Sequence, residues 1–209
     1  MAQPAYKSFY VRVVKRLLDI VLSLIALPFV LVIALVFGIA IWLEDRGPVC
    51  YNAPRMGKDR VPFKMYKLRS MKVNAEFTGS GVYSDDKDDR ITKVGKVLRK
   101  TSLDELPQLF NVLLGQIALV GPRSPLTYHP WPLEQYTTEQ RKMFDVRPGI
   151  TGWAQVHGRK TVEWHKRIEM NVWYSEHVSF WLDLKILFMT VFKVFSGADN
   201  ENVGATLKE

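Results

Sequence analysis

Between Ile20 and Leu43 an apolar run of about 24 residues is not interrupted by a single charge. A bilayer core is crossed by roughly 20 helical residues, so this segment is long enough to belong in lipid. A cleavable leader would have a shorter apolar region, about 7–15 residues, ending at small residues. Here the run leads into Trp42, Glu44, Asp45 and Arg46, which argues against a leader. Lys7, Arg12, Lys15 and Arg16 precede it, a basic flank suited to anionic headgroups and to the cytoplasmic side.

A simple span would place everything after Leu43 outside the cytoplasm. Yet the remainder has one cysteine, so no intramolecular disulfide, and many basic residues, as in a cytoplasmic protein. That cysteine, Cys50, reads as a buried apolar residue. A helix that enters the bilayer, bends and leaves on the same face reconciles the two. Pro28 removes a backbone donor and Ser23 can hydrogen-bond a nearby carbonyl, so these residues mark the candidate break. From the segment alone an ordinary kinked spanning helix is the simpler reading. Asp19, a carboxylate opening an apolar helix, needs a partner, and Arg16 is the nearest candidate.

With 209 residues and 47% hydrophobic composition, the chain can form one domain with a core. The expected division is 1–46 for the flank and membrane helix, 47–196 for the soluble domain, and a polar, disordered tail over 197–209. A net charge of +8 suits nucleic acid, phospholipid or a phosphorylated substrate without choosing among them. Turn signals at Gly47-Pro48 and Pro54-Arg55-Met56-Gly57 precede an alternating stretch, Phe63 to Arg69, that predicts a short strand. Asn74 to Arg90 reads as a loop. Its cluster Asp85, Asp86, Asp88 and Asp89 lacks the alternation and closing glutamate of a calcium loop and is expected to be solvated. Ile91 to Arg99 suggests a short amphipathic helix.

Leu103, Leu106, Phe110 and Leu113 recur at helical spacing, and Ser102 and Glu105 are spaced as a capping box. Pro107 confines the helix start, with Asp104 as the other possible cap. Asp104 and Glu105 then lie at a helix N-terminus, where adjacent acids are commonly caps and where phosphate also binds. Two further loops, Leu119 to Pro125 and Val146 to Arg159, carry arginines among glycines and prolines, a composition that lets backbone and guanidinium approach phosphate oxygens. His157 reads as structural rather than as a base. Phe180 to Phe195 is an apolar helix with few charges, suited either to the membrane interface or to the core.

Taken in order, Lys15-Arg16-Leu17-Leu18-Asp19, Tyr66-Lys67-Leu68-Arg69-Ser70-Met71, Ser102-Leu103-Asp104-Glu105-Leu106-Pro107-Gln108, Val120-Gly121-Pro122-Arg123 and Arg147-Pro148-Gly149-Ile150-Thr151-Gly152-Trp153-Ala154-Gln155-Val156 resemble the bacterial sugar transferase family. These are the monotopic polyprenyl-phosphate phosphoglycosyl transferases, and the resemblance runs over about residues 12 to 196. Larger members carry additional N-terminal transmembrane helices, so the chain looks like the minimal catalytic unit.

The resemblance implies an α+β, predominantly helical fold: a re-entrant helix-break-helix membrane segment at Ser23 and Pro28, a cytoplasmic catalytic domain and interfacial amphipathic helices, on the bacterial inner membrane. It implies transfer of a sugar-1-phosphate from a UDP-sugar to a polyprenyl phosphate such as undecaprenyl phosphate, releasing UMP, with inner-membrane lipid and no nucleic acid as partner. Asp104 would be the nucleophile and Glu105 its dyad partner, both near Mg2+, and Lys67, Arg69, Arg99, Arg123, Arg147 and Asp183 would bind substrate. Two positions depart from the family pattern. Val32 stands where the break proline is usual, and Asn171 stands where an aspartate is common. The competing reading is a membrane-tethered basic module that binds anionic lipid or nucleic acid without chemistry.

Overall fold

The computed structural model describes residues 4–79, 81, 88–158 and 162–196, with side chains through 193. The 197–209 tail and the acids Asp85 and Asp86 lie outside the described residues.

The apolar run forms one long helix. A π-helical turn, Tyr10–Val14, continues into α1, Lys15–Asp45, and Arg46 ends it in the left-handed conformation. The whole segment of 36 residues is about 54 Å long at 1.5 Å per residue. The helix continues through Pro28, whose missing N–H leaves the Leu24 carbonyl without its usual helical donor. Ser23 does not bond a carbonyl. It is fully buried, and its hydroxyl has no partner among the described residues. Lys15, Asp19, Ser23, Val30, Gly38 and Ile41 form the buried stripe, while Val21, Ile25, Phe29, Val32, Leu35 and Val36 are exposed. An apolar outer face of that extent is what a helix in lipid presents.

The folded domain lies along the full length of α1 rather than beyond one end. At the start, Arg16 donates to the carbonyls of Val112 and Leu113, and Asp19 accepts from Leu119 N at 3.0 Å. Asp19 is therefore hydrogen-bonded to a backbone amide, with Lys15 and Arg16 acting on it only as charges, because Arg16 points at carbonyls left open by the short helix near Leu113. In the middle, Val30 packs with Leu109, Val112 and Ile117. At the end, Ile41 packs with Leu68 and Leu98, and the Glu44 carboxylate accepts from Lys93 N and Val94 N at 2.6 and 3.0 Å. Asp45 takes a two-pronged hydrogen bond from Arg69.

Two small sheets position the remaining segments. Strands β1 (Cys50–Met56) and β2 (Pro62–Leu68) are antiparallel, with Cys50 opposite Leu68 and Met56 opposite Pro62. The turn signals at 54–57 thus conceal a strand. Pro54 interrupts its sequence pattern but lends only its carbonyl, to Thr127 N. Cys50 opens this strand and is exposed, against the expectation of burial. Helix α2 (Lys93–Thr101) is capped by the Thr92 hydroxyl, α3 spans Gln108–Leu113, and β3 (Ala118–Val120) pairs in parallel with β4 (Gly149–Thr151). Between β3 and β4 comes a short α4 (Thr138–Arg141) with a Thr137/Gln140 capping box. After β4 follow α5 (Trp153–Val156), α6 (Trp164–His177) and α7 (Phe180–Ser196). Helix α7 has one side in the core and one side open. Asp183 and Ile186 are buried, whereas Trp181, Phe188, Val191 and Phe192 are exposed.

Candidate active site

The turn carrying Asp104 and Glu105 is not a helix cap. Ser102 adopts φ 57° to close α2, its N–H bonding back to that helix, so it cannot take the extended conformation of an N-cap. Leu103–Glu105 is a 3-10 turn, and α3 begins only after Pro107, with no side-chain capping bond at either start. The two acids are released from capping and turned inward. Asp104 is 3% exposed.

Their partners are cations. Lys67 on β2 places Nζ 2.7 Å from Asp104 Oδ2 and 3.5 Å from Glu105 Oε1. Arg123 places Nη2 3.2 Å from Glu105 Oε1. Glu105 is the main reason the Arg123 guanidinium holds its proton more tightly than usual, more than offsetting burial. The Arg123 loop is fixed from behind. Its backbone N donates to Asn171 Oδ1 at 3.2 Å, Ser124 Oγ donates to Met56 O at 2.6 Å, and Gly121 N donates to Thr151 O at 2.8 Å. A Cβ on Gly149 would lie 2.0 Å from Gly121 N, and one on Gly152 1.9 Å from Gly121 O, so the β3 and β4 loops can close this tightly only with glycine.

A third cation was not singled out from the sequence. Arg55 donates through Nη1 to Ser124 O at 2.7 Å and acts electrostatically on both Arg123 and Glu105. Burial, then the neighbouring Arg123, pulls its pKa down to about 10. Two guanidiniums within electrostatic reach of each other and of one carboxylate leave an excess of positive charge, which an anion would relieve. The only signal in the sequence was an arginine in a Pro-Arg-Met-Gly turn, and turn chemistry explains the proline and glycine but not the arginine.

The remaining candidates lie elsewhere. Arg69 is buried on Asp45. Arg99 on α2 reaches the sulfur of Met71 at 3.6 Å. Arg147 donates to Gly115 O at 2.9 Å. Asp183 is buried on α7, paired with Lys15 and accepting from the hydroxyls of Tyr10 and Tyr174 at 2.6 and 2.5 Å. Among the described contacts it joins α7 to the start of α1. Burial and Asp183 push the Tyr174 hydroxyl well above its ordinary pKa, so it stays a donor. His157 is exposed and stacks on Trp153, with Nδ1 2.9 Å from Trp153 O, a structural placement.

The partly buried Lys67–Asp104–Glu105–Arg123 cluster draws on three of the motifs that carry the sequence resemblance. The sequence model of the family described as bacterial sugar transferase matches residues 10–197. This chain belongs to the bacterial sugar transferase family. It is 43% identical over 182 residues to the uncharacterized sugar transferase EpsL of Bacillus subtilis (strain 168), covering 87% of each chain. It is 44% identical over 188 residues to the UDP-glucose:undecaprenyl-phosphate glucose-1-phosphate transferase of Klebsiella pneumoniae, covering 88% of this chain and 40% of that one. With the UDP-N-acetylgalactosamine-undecaprenyl-phosphate N-acetylgalactosaminephosphotransferase of Aeromonas hydrophila it shares 39% identity over 187 residues, 88% of this chain and 44% of the other. This sugar transferase thus spans less than half the length of the two relatives whose names state a reaction.

No group of three or more histidine, cysteine, aspartate or glutamate residues gathers among the described residues. Asp104 and Glu105 offer adjacent carboxylates, and Mg2+ is commonly bound by one or two carboxylates together with substrate phosphates. The donor set fits that ion only with a phosphorylated substrate present.

Proposed function

We propose that the protein transfers a sugar-1-phosphate from a UDP-sugar to a polyprenyl phosphate, undecaprenyl phosphate in its named relatives, through a covalent intermediate on Asp104. The observation that carries this reading is the withdrawal of two adjacent acids from helix capping into a cluster of Lys67, Arg123 and Arg55. A structural acid pair has no need of this arrangement. A carboxylate that attacks a phosphoryl group does, because cations must offset the repulsion between the anions.

In the first half-reaction an oxygen of Asp104 bonds to the sugar-bearing phosphorus as the bridging oxygen departs with UMP. Lys67 orients that carboxylate, while Arg123 and Arg55 hold the diphosphate oxygens. Bound Mg2+ would supply further neutralisation of the diphosphate from the side of Asp104 and Glu105. In the second half-reaction an oxygen of the acceptor phosphate attacks the same phosphorus. The bond to Asp104 breaks, its electron pair returns to the carboxylate, and the dianionic acceptor has no proton to lose.

Membrane topology follows from the same reading. Both polar ends of α1 dock on one domain, through Arg16 and Asp19 at one end and Glu44 and Asp45 at the other. A segment so held enters and leaves a single face of the bilayer, which supports a re-entrant, monotopic insertion with the domain on the cytoplasmic face of the inner membrane. The deciding experiment supplies purified protein with Mg2+ and a panel of UDP-sugars labelled in the sugar, without lipid. The expected result is about one UMP per active site and a hydroxylamine-labile label on the Asp104 peptide, both lost in Asp104→Asn. UMP release only when lipid is added, with no label on the protein, would establish direct transfer instead.

A further inference from the structure

A cavity of about 450 Å³ adjoins the acidic turn on the side of the membrane helix. Its apolar wall comes from Ala26 and Val30 in the middle of α1, Leu106 and Leu109 on the catalytic turn and α3, and Ile150 on β4. Glu105 and Arg123 line it too, and Lys100 and Lys193 add positive charge. Within it lies an anomaly. Both side-chain atoms of Gln155, Oε1 and Nε2, are buried with no hydrogen-bond partner among the described residues. A buried unpaired amide is destabilising, and a ligand bonding to it would remove that cost.

We infer that this cavity is the acceptor site, holding the phosphate and the first isoprene units of the lipid, with the Gln155 amide as a neutral donor to the acceptor phosphate. The inference rests on the proposed transfer reaction. The occupant must be apolar over most of its length, anionic at one end and able to arrive past the middle of α1, a combination that a nucleotide sugar lacks. Arg55, proposed above to hold the donor diphosphate together with Arg123, does not line the cavity. Glu105 and Arg123 link the two. A two-step transfer can therefore present the phosphorus on Asp104 first to one substrate and then to the other.

The test uses full-length Val30→Trp, which fills the cavity, and Gln155→Leu, which keeps its volume and removes the amide. Each is charged with the labelled UDP-sugar that labels wild type, then mixed with farnesyl phosphate or a long-chain polyprenyl phosphate. Both variants should form the adduct to the wild-type level, which also reports that the site is folded. Both should discharge it at least tenfold more slowly at subsaturating acceptor, with the short acceptor affected as much as the long one. Wild-type discharge by either variant would overturn the assignment. So would loss of adduct formation in a folded variant, because the donor would then occupy the cavity. If wild type forms no adduct at all, the covalent reading fails on its own. Steady-state kinetics then judge the cavity, with a raised KM for acceptor alone supporting it and a raised KM for donor alone refuting it.

Discussion

The Lys67 ammonium lies between two adjacent carboxylates, 2.7 Å from Asp104 Oδ2 and 3.5 Å from Glu105 Oε1, while Asp104 has a side chain only 4% exposed. One cation thus offsets a buried acid and holds its neighbour. Lys67→Met should lower kcat/KM at least 100-fold, about 2.7 kcal/mol of transition-state stabilisation. It should also destabilise the fold by about 2 kcal/mol, below the 3–5 of a fully buried pair because Lys67 is 27% exposed. Lys67→Arg should recover stability more than activity, since a planar fork cannot replace a point charge between two acids. Kinetics and denaturant melts on the three proteins measure both effects.

Arg55 gives a prediction of another kind, because its hydrogen bond goes to the Ser124 carbonyl while Arg123 and Glu105 act on it electrostatically. Arg55→Gln should raise the KM for the UDP-sugar about 10- to 100-fold, the range of one lost charge-assisted bond of about 1.5–3 kcal/mol. The protein itself should change little in stability, since a like-charge repulsion disappears together with the bond to Ser124 O. An unchanged donor KM would place the diphosphate elsewhere.

The sequence made the long apolar helix, the β2 strand and the acidic pair legible because each is a local pattern: a run, an alternation, a motif. What it hid depends on distant partners. Strand β1 was obscured by Pro54 because its ladder comes from β2, and Arg55 became visible only when β1 carried it to Arg123. The capping box at Ser102 and Glu105 was a correct spacing defeated by the end of α2, which claims Ser102 for a left-handed stop. Arg69 and Asp183 have the charge of substrate-binding residues, yet their described partners, Asp45 and Lys15, hold the two ends of α1. No local rule separates a cation that binds substrate from one that anchors a helix.

That distinction can be measured at Arg69. If it anchors α1, Arg69→Met and Asp45→Asn should each destabilise the protein, and the double variant should cost less than their sum, with a coupling of about 1–2 kcal/mol. The donor KM should move less than twofold in all three. A donor KM that rises in Arg69→Met but not in Asp45→Asn would instead make Arg69 a substrate contact.

Asn171 is 2% exposed and accepts the Arg123 backbone N–H, so an acceptor oxygen rather than a charge is what the loop needs. Asn171→Asp, which keeps an acceptor oxygen, should keep activity within about threefold. Asn171→Leu leaves that N–H unpaired, at about 1–3 kcal/mol, and should reduce kcat/KM by about 10-fold as Arg123 drifts from Glu105.

Acid stability should be governed in part by a group outside the Asp104–Glu105 cluster. Asp88 accepts from Arg90 through both oxygens, and these hydrogen bonds hold its carboxyl below the usual carboxylate range. The same guanidinium donates to the carbonyls of Ala75 and Gly81, at 2.6 and 2.9 Å, so the pair ties the loop beside β2. A carboxyl whose folded pKa is depressed stabilises the fold fully above its unfolded value, about 3.9, and that contribution fades as pH falls toward the folded value. Wild-type stability should therefore drop between pH 5 and pH 3 more steeply than that of Asp88→Asn, which starts lower at pH 7 and lacks this titration. Parallel pH profiles of the two proteins would remove Asp88 from the account. Convergence at low pH would establish that the Arg90 clamp on the 75–81 carbonyls depends on an ionised Asp88.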